Sequence, residues 1–93
     1  MSNYQAKRTS QFKKDLKRLI KQGKDMSKLG VVVDALIAGK TLEAQYMDHT
    51  LSKNWAGFRD CHIEPDWILI YKKEKNTLVL TLTRSGSHSE LEL

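Results

Sequence analysis

Phe58-Arg59-Asp60-Cys61-His62-Ile63-Glu64-Pro65-Asp66-Trp67-Ile68-Leu69-Ile70-Tyr71 is the stretch on which the reading of this chain turns. Its first six residues alternate in the manner of a strand, and strand parity puts Phe58, Asp60 and His62 on one face. Glu64-Pro65-Asp66 is a turn, because a proline cannot donate to a central ladder. Trp67 to Tyr71 is apolar on both faces, which predicts a central strand.

Working outward toward the C-terminus, Lys73 to Asn76 is polar enough for a second turn. Leu78, Leu80 and Leu82 then alternate with Thr77, Val79, Thr81 and Thr83, giving a strand with one apolar face. The tail from Ser85 is polar, and Leu91 is its one apolar anchor for a short final helix.

The N-terminal half changes period. Residues 3–8 alternate weakly, as an edge strand does. Phe12, Leu16, Leu19 and Ile20 fall at i, i+4, i+7 and i+8, one helical face, with Thr9 or Ser10 as its cap and Gly23 at its end. Leu29, Val32, Val33, Leu36 and Ile37 repeat that spacing between a cap at Asp25 or Ser27 and a stop at Gly39. So short a join predicts an antiparallel helical hairpin. The order is β-α-α followed by consecutive strands. It specifies an α+β fold: an N-terminal edge strand, the helix pair on one face of an antiparallel sheet, and a short C-terminal helix. The other sheet face is left as a working surface.

Ninety-three residues suit a single domain, 1–93. With 40% apolar and 29% charged residues the mix is globular. Sixteen Lys and Arg against eleven Asp and Glu give a net charge of +5, which favours a polyanionic partner such as RNA, DNA or an acidic segment. Lone Cys61 excludes an internal disulfide and fits a reducing cytoplasm. The apolar run Trp67–Tyr71 is too short to span a bilayer. Lys7, Arg8, Lys13 and Lys14 stand where a signal peptide needs its apolar core. The expectation is a cytoplasmic protein that binds no membrane.

All three histidines lie in the second half: His49, His62 and His88. Arg84 ends the last strand, and Asp66 occupies a tight turn. RNA carries its own nucleophile, the 2′-OH. Cleaving it needs a base for that proton, an acid for the leaving 5′-oxygen, and cations on the phosphate. Histidine suits both proton roles, and arginine suits the phosphate. The spacing of the histidines matches no common metal motif. Cys61 and His62, as strand neighbours, point to opposite faces, which argues against a shared ion or a Cys–His pair. The expectation is no metal and no cofactor. Each residue also has a plainer role: His62 as a structural strand residue, Arg84 as a surface charge, Asp66 as a turn former, Trp67 and Tyr71 as core. The basic face of the first helix, Lys13, Lys14, Lys17, Arg18 and Lys21, can be a solvated face or a surface for RNA phosphates.

Residues 46–88 add a resemblance. Tyr46-Met47-Asp48-His49-Thr50-Leu51 resembles the pattern Y-K-D-H-x-L, and the stretch from Gly57 to Tyr71 resembles G-[YF]-R-[DE]-x-H-x-x-P-D-x-[IL]-L-[IV]-Y. Arg84-x-Gly86-x-His88 is similar to R-x-G-[ST]-H. These are patterns of the YafQ branch of the RelE superfamily of toxin–antitoxin toxins, and the similarity covers nearly the whole chain. It implies a metal-independent endonuclease that cuts mRNA in the ribosomal A site, with a cognate antitoxin, the 70S ribosome and mRNA as partners. By residue-for-residue match, His49, His62, Asp66 and His88 are candidate catalytic groups, with His49 or His62 as base and His88 as acid. Arg84 is the phosphate-binding candidate, and Asp60 and Trp67 match supporting positions. One departure concerns codon preference: the family commonly ends in an aromatic, and this chain ends Ser89-Glu90-Leu91-Glu92-Leu93. Two other readings compete. A non-catalytic, gyrase-binding module of the superfamily would lack the histidines, and a ribosome-independent ribonuclease would need more chain to hold its substrate.

Overall fold

The computed structural model describes residues 3–93. Strand β1 (Gln5–Arg8) leads into helices α1 (Ser10–Lys21) and α2 (Met26–Ile37). Strands β2 (His49–Thr50), β3 (Arg59–Glu64), β4 (Trp67–Glu74) and β5 (Val79–Gly86) follow, with 3₁₀ turns at Ala44–Tyr46 and Lys53–Trp55. The caps are Thr9, whose side chain accepts from the Phe12 N–H, and Asp25, which accepts from the Ser27 N–H. Gly23 and Gly39 end the helices at φ of 76° and 75°, a left-handed conformation that glycine adopts without steric cost.

The five strands run in the order β1-β5-β4-β3-β2. β5, β4, β3 and β2 pair antiparallel, as the alternating pattern predicts. β1 lies at the edge as expected, but it pairs parallel with β5, so the sheet is mixed rather than antiparallel. The helical excursion between β1 and the rest returns the chain in the same direction along β5, and such a crossover is what parallel pairing requires.

Both helices cover one face of the sheet, α1 against β5 and α2 against β3. Phe12, Leu19, Leu29, Val32 and Leu36 bury there against Cys61, Trp67, Leu69, Tyr71, Leu80 and Leu82. Each large side chain so buried contributes about 1.5–3 kcal/mol. Ile20 does not join this stripe and is 61% exposed. Its place is taken by Asp15, which is fully buried. On the opposite face Ile68, Ile70 and Leu91 form a second, smaller cluster with Leu51, Trp55 and Phe58 beside it. That leaves part of the face open as a working surface.

The expected C-terminal helix does not form. Residues 88–92 make a turn, closed by bonds from Leu91 N–H to Ser87 O (3.1 Å) and from Leu93 N–H to His88 O (2.9 Å). Leu91 still anchors it. The hairpin between β4 and β5 also differs from expectation. β4 continues to Glu74 and the turn moves to residues 75–78, because Lys72 and Glu74 extend the strand into solvent without needing burial.

Candidate active site

Register assembles the site. Arg84, Ile70, Asp60 and His49 are successive partners across β5, β4, β3 and β2 and so form one row. Gly86, Ile68 and His62 form the next row. Two residues past Gly86, the tail places His88 over His62. The result is a file of imidazoles on the face away from the helices. The ring centroids are 6.4 Å apart from His49 to His62 and 5.4 Å apart from His62 to His88.

A carboxylate stands beside each end of the file. His88 Nδ1 lies 2.6 Å from Asp66 Oδ1, which also accepts the His88 backbone N–H at 2.9 Å. Because a carboxylate only accepts, Nδ1 is the protonated nitrogen and Nε2 is turned outward. The His88 backbone N–H, then its ring, hold the Asp66 carboxyl below the usual range. Asp66 and Pro65 are the two-residue loop of the β3–β4 hairpin, so the turn that ends β3 also delivers this carboxylate.

At the other end, His49 Nδ1 is 2.7 Å from Met47 O and 3.1 Å from Asp60 Oδ1. The one Nδ1 proton goes to the nearer carbonyl. Asp60 Oδ1 is therefore an ionic neighbour with no hydrogen bond of its own. Asp60 is buried, and burial pushes its carboxyl up, while His49, then His62 and His88, pull it back. One buried acid is thus sensed by all three imidazoles. His62 makes no side-chain hydrogen bond among the described residues and is half-buried between the other two.

Arg84 stands at the β5 end of its row. Its Nε donates to Asp15 Oδ2 at 2.8 Å and its Nη2 to Oδ1 at 3.3 Å. Asp15 also accepts from Arg18 Nη1 (2.8 Å) and from the Ser85 N–H (3.0 Å). Burial pushes the Asp15 carboxyl up, but Arg84, Ser85 and Arg18 together outweigh it and leave it below the ordinary range. Arg84 is in this way held at the site edge with its guanidinium pre-oriented.

One sequence expectation needs correction. Arg18 does not extend the basic face of α1. It is committed to Asp15, to Ser85 O (2.7 Å) and to Glu90 (3.0 Å). Trp67 is only 1% exposed, on the helix face, and donates its Nε1–H to Ser85 Oγ at 3.0 Å. It braces β5 just before the His88 tail, so it supports the site from within the core. Lys13, Lys14 and Lys17 are exposed, as a phosphate-facing surface requires. Sequence reading missed Asp15 and Met47. The signal for Asp15 was its place on the apolar stripe, three residues after Phe12 and four before Leu19. The left-handed backbone of Met47, at φ 50°, had no signal beyond its position before Asp48.

Residues 4–93 match the family model for the bacterial toxin of type II toxin–antitoxin systems, YafQ. The chain belongs to the YafQ toxin family. The mRNA interferase toxin YafQ of Escherichia coli BL21-DE3 is 45% identical over 84 residues, 89% of each chain. The crystal structure of the E. coli DinJ-YafQ toxin–antitoxin complex superposes with a TM-score of 0.88 at 41% identity, covering 96% of this chain and 97% of that one. A metal-bound toxin from Helicobacter pylori also superposes with a TM-score of 0.88 at 41% identity, over 95% and 98% of the two chains. Among the described residues of this YafQ family member, no three or more His, Cys, Asp or Glu side chains are grouped to hold a metal ion. The mixed five-stranded sheet carrying two helices is the architecture shared with these structures.

Proposed function

We propose that this toxin is an endoribonuclease that cuts mRNA in the ribosomal A site by attack of the RNA's own 2′-OH. The single observation that carries the reading is the file of three imidazoles, backed by Asp60 and Asp66, on an open sheet face. His49 or His62 takes the 2′-OH proton. The 2′-oxygen then bonds to phosphorus, giving a 2′,3′-cyclic phosphate, and His88 protonates the departing 5′-oxygen. Asp66 fixes the His88 ring through Nδ1 and leaves Nε2 turned outward to deliver a proton. Arg84 meets the developing charge on the phosphate. Every step is served by side chains of this chain, without a metal ion.

Dependence on the ribosome is supported by what surrounds the file. A domain this small has few residues beyond the file to hold a strand unaided, which favours a scaffold that presents the RNA. Exposed Lys13, Lys14 and Lys17 offer ribosomal RNA a cationic surface. The partners are then the 70S ribosome, its mRNA and, as in the DinJ-YafQ complex, a cognate antitoxin, all in the bacterial cytoplasm.

The test is incubation of the purified protein with naked RNA and with programmed ribosomes, followed by mapping of cut ends. Cleavage confined to ribosomes, with cyclic phosphate ends and insensitive to transition-metal chelators, is the expected result. Equal cleavage of naked RNA would replace this reading with a free ribonuclease. Loss on chelation that zinc or copper restores would reject the metal-free route.

A further inference from the structure

A cavity of about 430 Å³ opens beside His62. Gln45, Tyr46, Met47, Ile63, Glu64 and Pro65 line it together with His62 itself. Its walls are mainly apolar, unlike the rest of the site. Three features set it apart from an accidental hollow.

First, Met47 is 60% exposed here, a large apolar side chain held at the surface next to the chemistry. A polarisable thioether is a favourable neighbour for a π-system. Second, Met47 holds a left-handed backbone, φ 50° and ψ 41°, fixed by its N–H donating to Ala44 O at 3.0 Å. Its carbonyl accepts the His49 proton at 2.7 Å. The residue that shapes the cavity therefore also orients an imidazole of the file. Third, the polar groups at the rim differ in freedom. Glu64 is tied to Lys28 at 2.8 Å. The exposed Gln45 amide has no partner among the described residues, so its donors and acceptor are available to a ligand.

We infer that this cavity is a nucleobase subsite, which takes the base flanking the scissile phosphate between Met47, Tyr46 and Pro65 and reads its edge with Gln45. The inference rests on the mRNA-cleaving reading above. Continuity with His62 points to the occupant: the base of a nucleotide whose phosphate is in reach of the imidazoles can reach this cavity. Flat π-surfaces bind such walls with little sequence preference. Hydrogen bonds from Gln45 then supply the discrimination. A base seated against Met47 also fixes its carbonyl, and so His49, which makes occupancy a condition of fast cutting.

The experiment uses mRNA that places 2-aminopurine at each A-site position in turn. A 2′-O-methyl group at the cut site keeps the strand intact on 70S ribosomes. Addition of the wild-type protein should change fluorescence strongly at one position flanking the cut. Met47→Ala should reduce that change several-fold, while its backbone carbonyl still serves His49. In parallel, cleavable mRNAs with each base, or an abasic nucleotide, at that position are cut under single-turnover conditions. The abasic substrate should be cut at least tenfold more slowly than the best base by wild type. Gln45→Ala should level the rates among the four bases. No fluorescence change at any flanking position, or base preferences untouched by both variants, overturns the subsite. Weakened antitoxin binding by Met47→Ala with base preferences intact assigns the cavity to the antitoxin and likewise overturns it. A Met47-dependent fluorescence change with no cleavage by wild type would leave the subsite standing and remove the nuclease reading instead.

Discussion

Asp15→Asn is the substitution whose cost the structure specifies best. Asp15 is fully buried and accepts from Arg84, Arg18 and the Ser85 N–H. The amide keeps one acceptor oxygen but removes the charge that two guanidinium groups share. Leaving such a partner uncompensated in a buried network costs about 3–5 kcal/mol. The retained oxygen and the partial exposure of Arg84 and Arg18 place the expectation at the low end, about 3 kcal/mol. For a domain of this size that lowers Tm by roughly 12–24 °C. The sign of its pH dependence follows from the depressed folded-state carboxyl. Its stabilisation is complete above the unfolded value, about pH 4, and is lost as pH falls through the lower folded value. The gap between wild type and Asp15→Asn should be constant from pH 7 to pH 5 and should narrow below about pH 4, as Asp15 of the unfolded chain takes up its proton before the folded one does. Urea melts of both proteins across that range make the measurement. A gap below about 1 kcal/mol at pH 7, or one that persists unchanged at pH 3, would refute the argument. Because Asp15 also orients Arg84, cleavage by the folded variant should fall as well.

His88→Ala should slow single-turnover cleavage on programmed ribosomes by roughly a hundred- to ten-thousand-fold with an unchanged thermal melt, because the ring is half-exposed; full activity would remove His88 as the acid. Asp66→Asn keeps an acceptor for the His88 backbone N–H but loses the charge beside the ring, so its rate should lie between wild type and His88→Ala. Changing Lys13 and Lys14 together to Gln should flatten the log–log salt dependence of ribosome association by roughly 1.4–1.8, and an unchanged slope would mean that α1 faces away from RNA. Burial pushes the Cys61 thiol up to about 12, so iodoacetamide at pH 8 should label it only after unfolding; rapid labelling of the native protein would show that β3 opens readily.

Strand parity in the stretch from Phe58 to Tyr71 was enough to put Asp60 and His62 on one face, since a period of two leaves no other choice, and the packing of the helices then decided which face it is. The placing of Asp66 in a tight turn was equally local. What the sequence hid was non-local. Asp15 and Arg84 are 69 positions apart, and nothing in either neighbourhood announces the other. A charged residue on an amphipathic helix is ordinarily solvated, so Asp15 drew no notice while Ile20 read as core, and the structure buries the first and exposes the second. The parallel pairing of β1 was invisible for the same reason: a four-residue strand does not carry the address of its partner. Trp67 was an ambiguous case. Its neighbours made it core, its motif made it part of the site, and its bond to Ser85 shows how it serves the site from within the core.

The pairing of β1 with β5 has a consequence for how the chain comes to life in the cell. The first strand to leave the ribosome waits for the last one, and the sheet cannot close until nearly the whole sequence has been made. Contacts between the ends of a chain are also the slowest to form. His88 lies later still, in the tail that closes on Asp66. The histidine file is therefore complete only once β5 and the tail after it are in place.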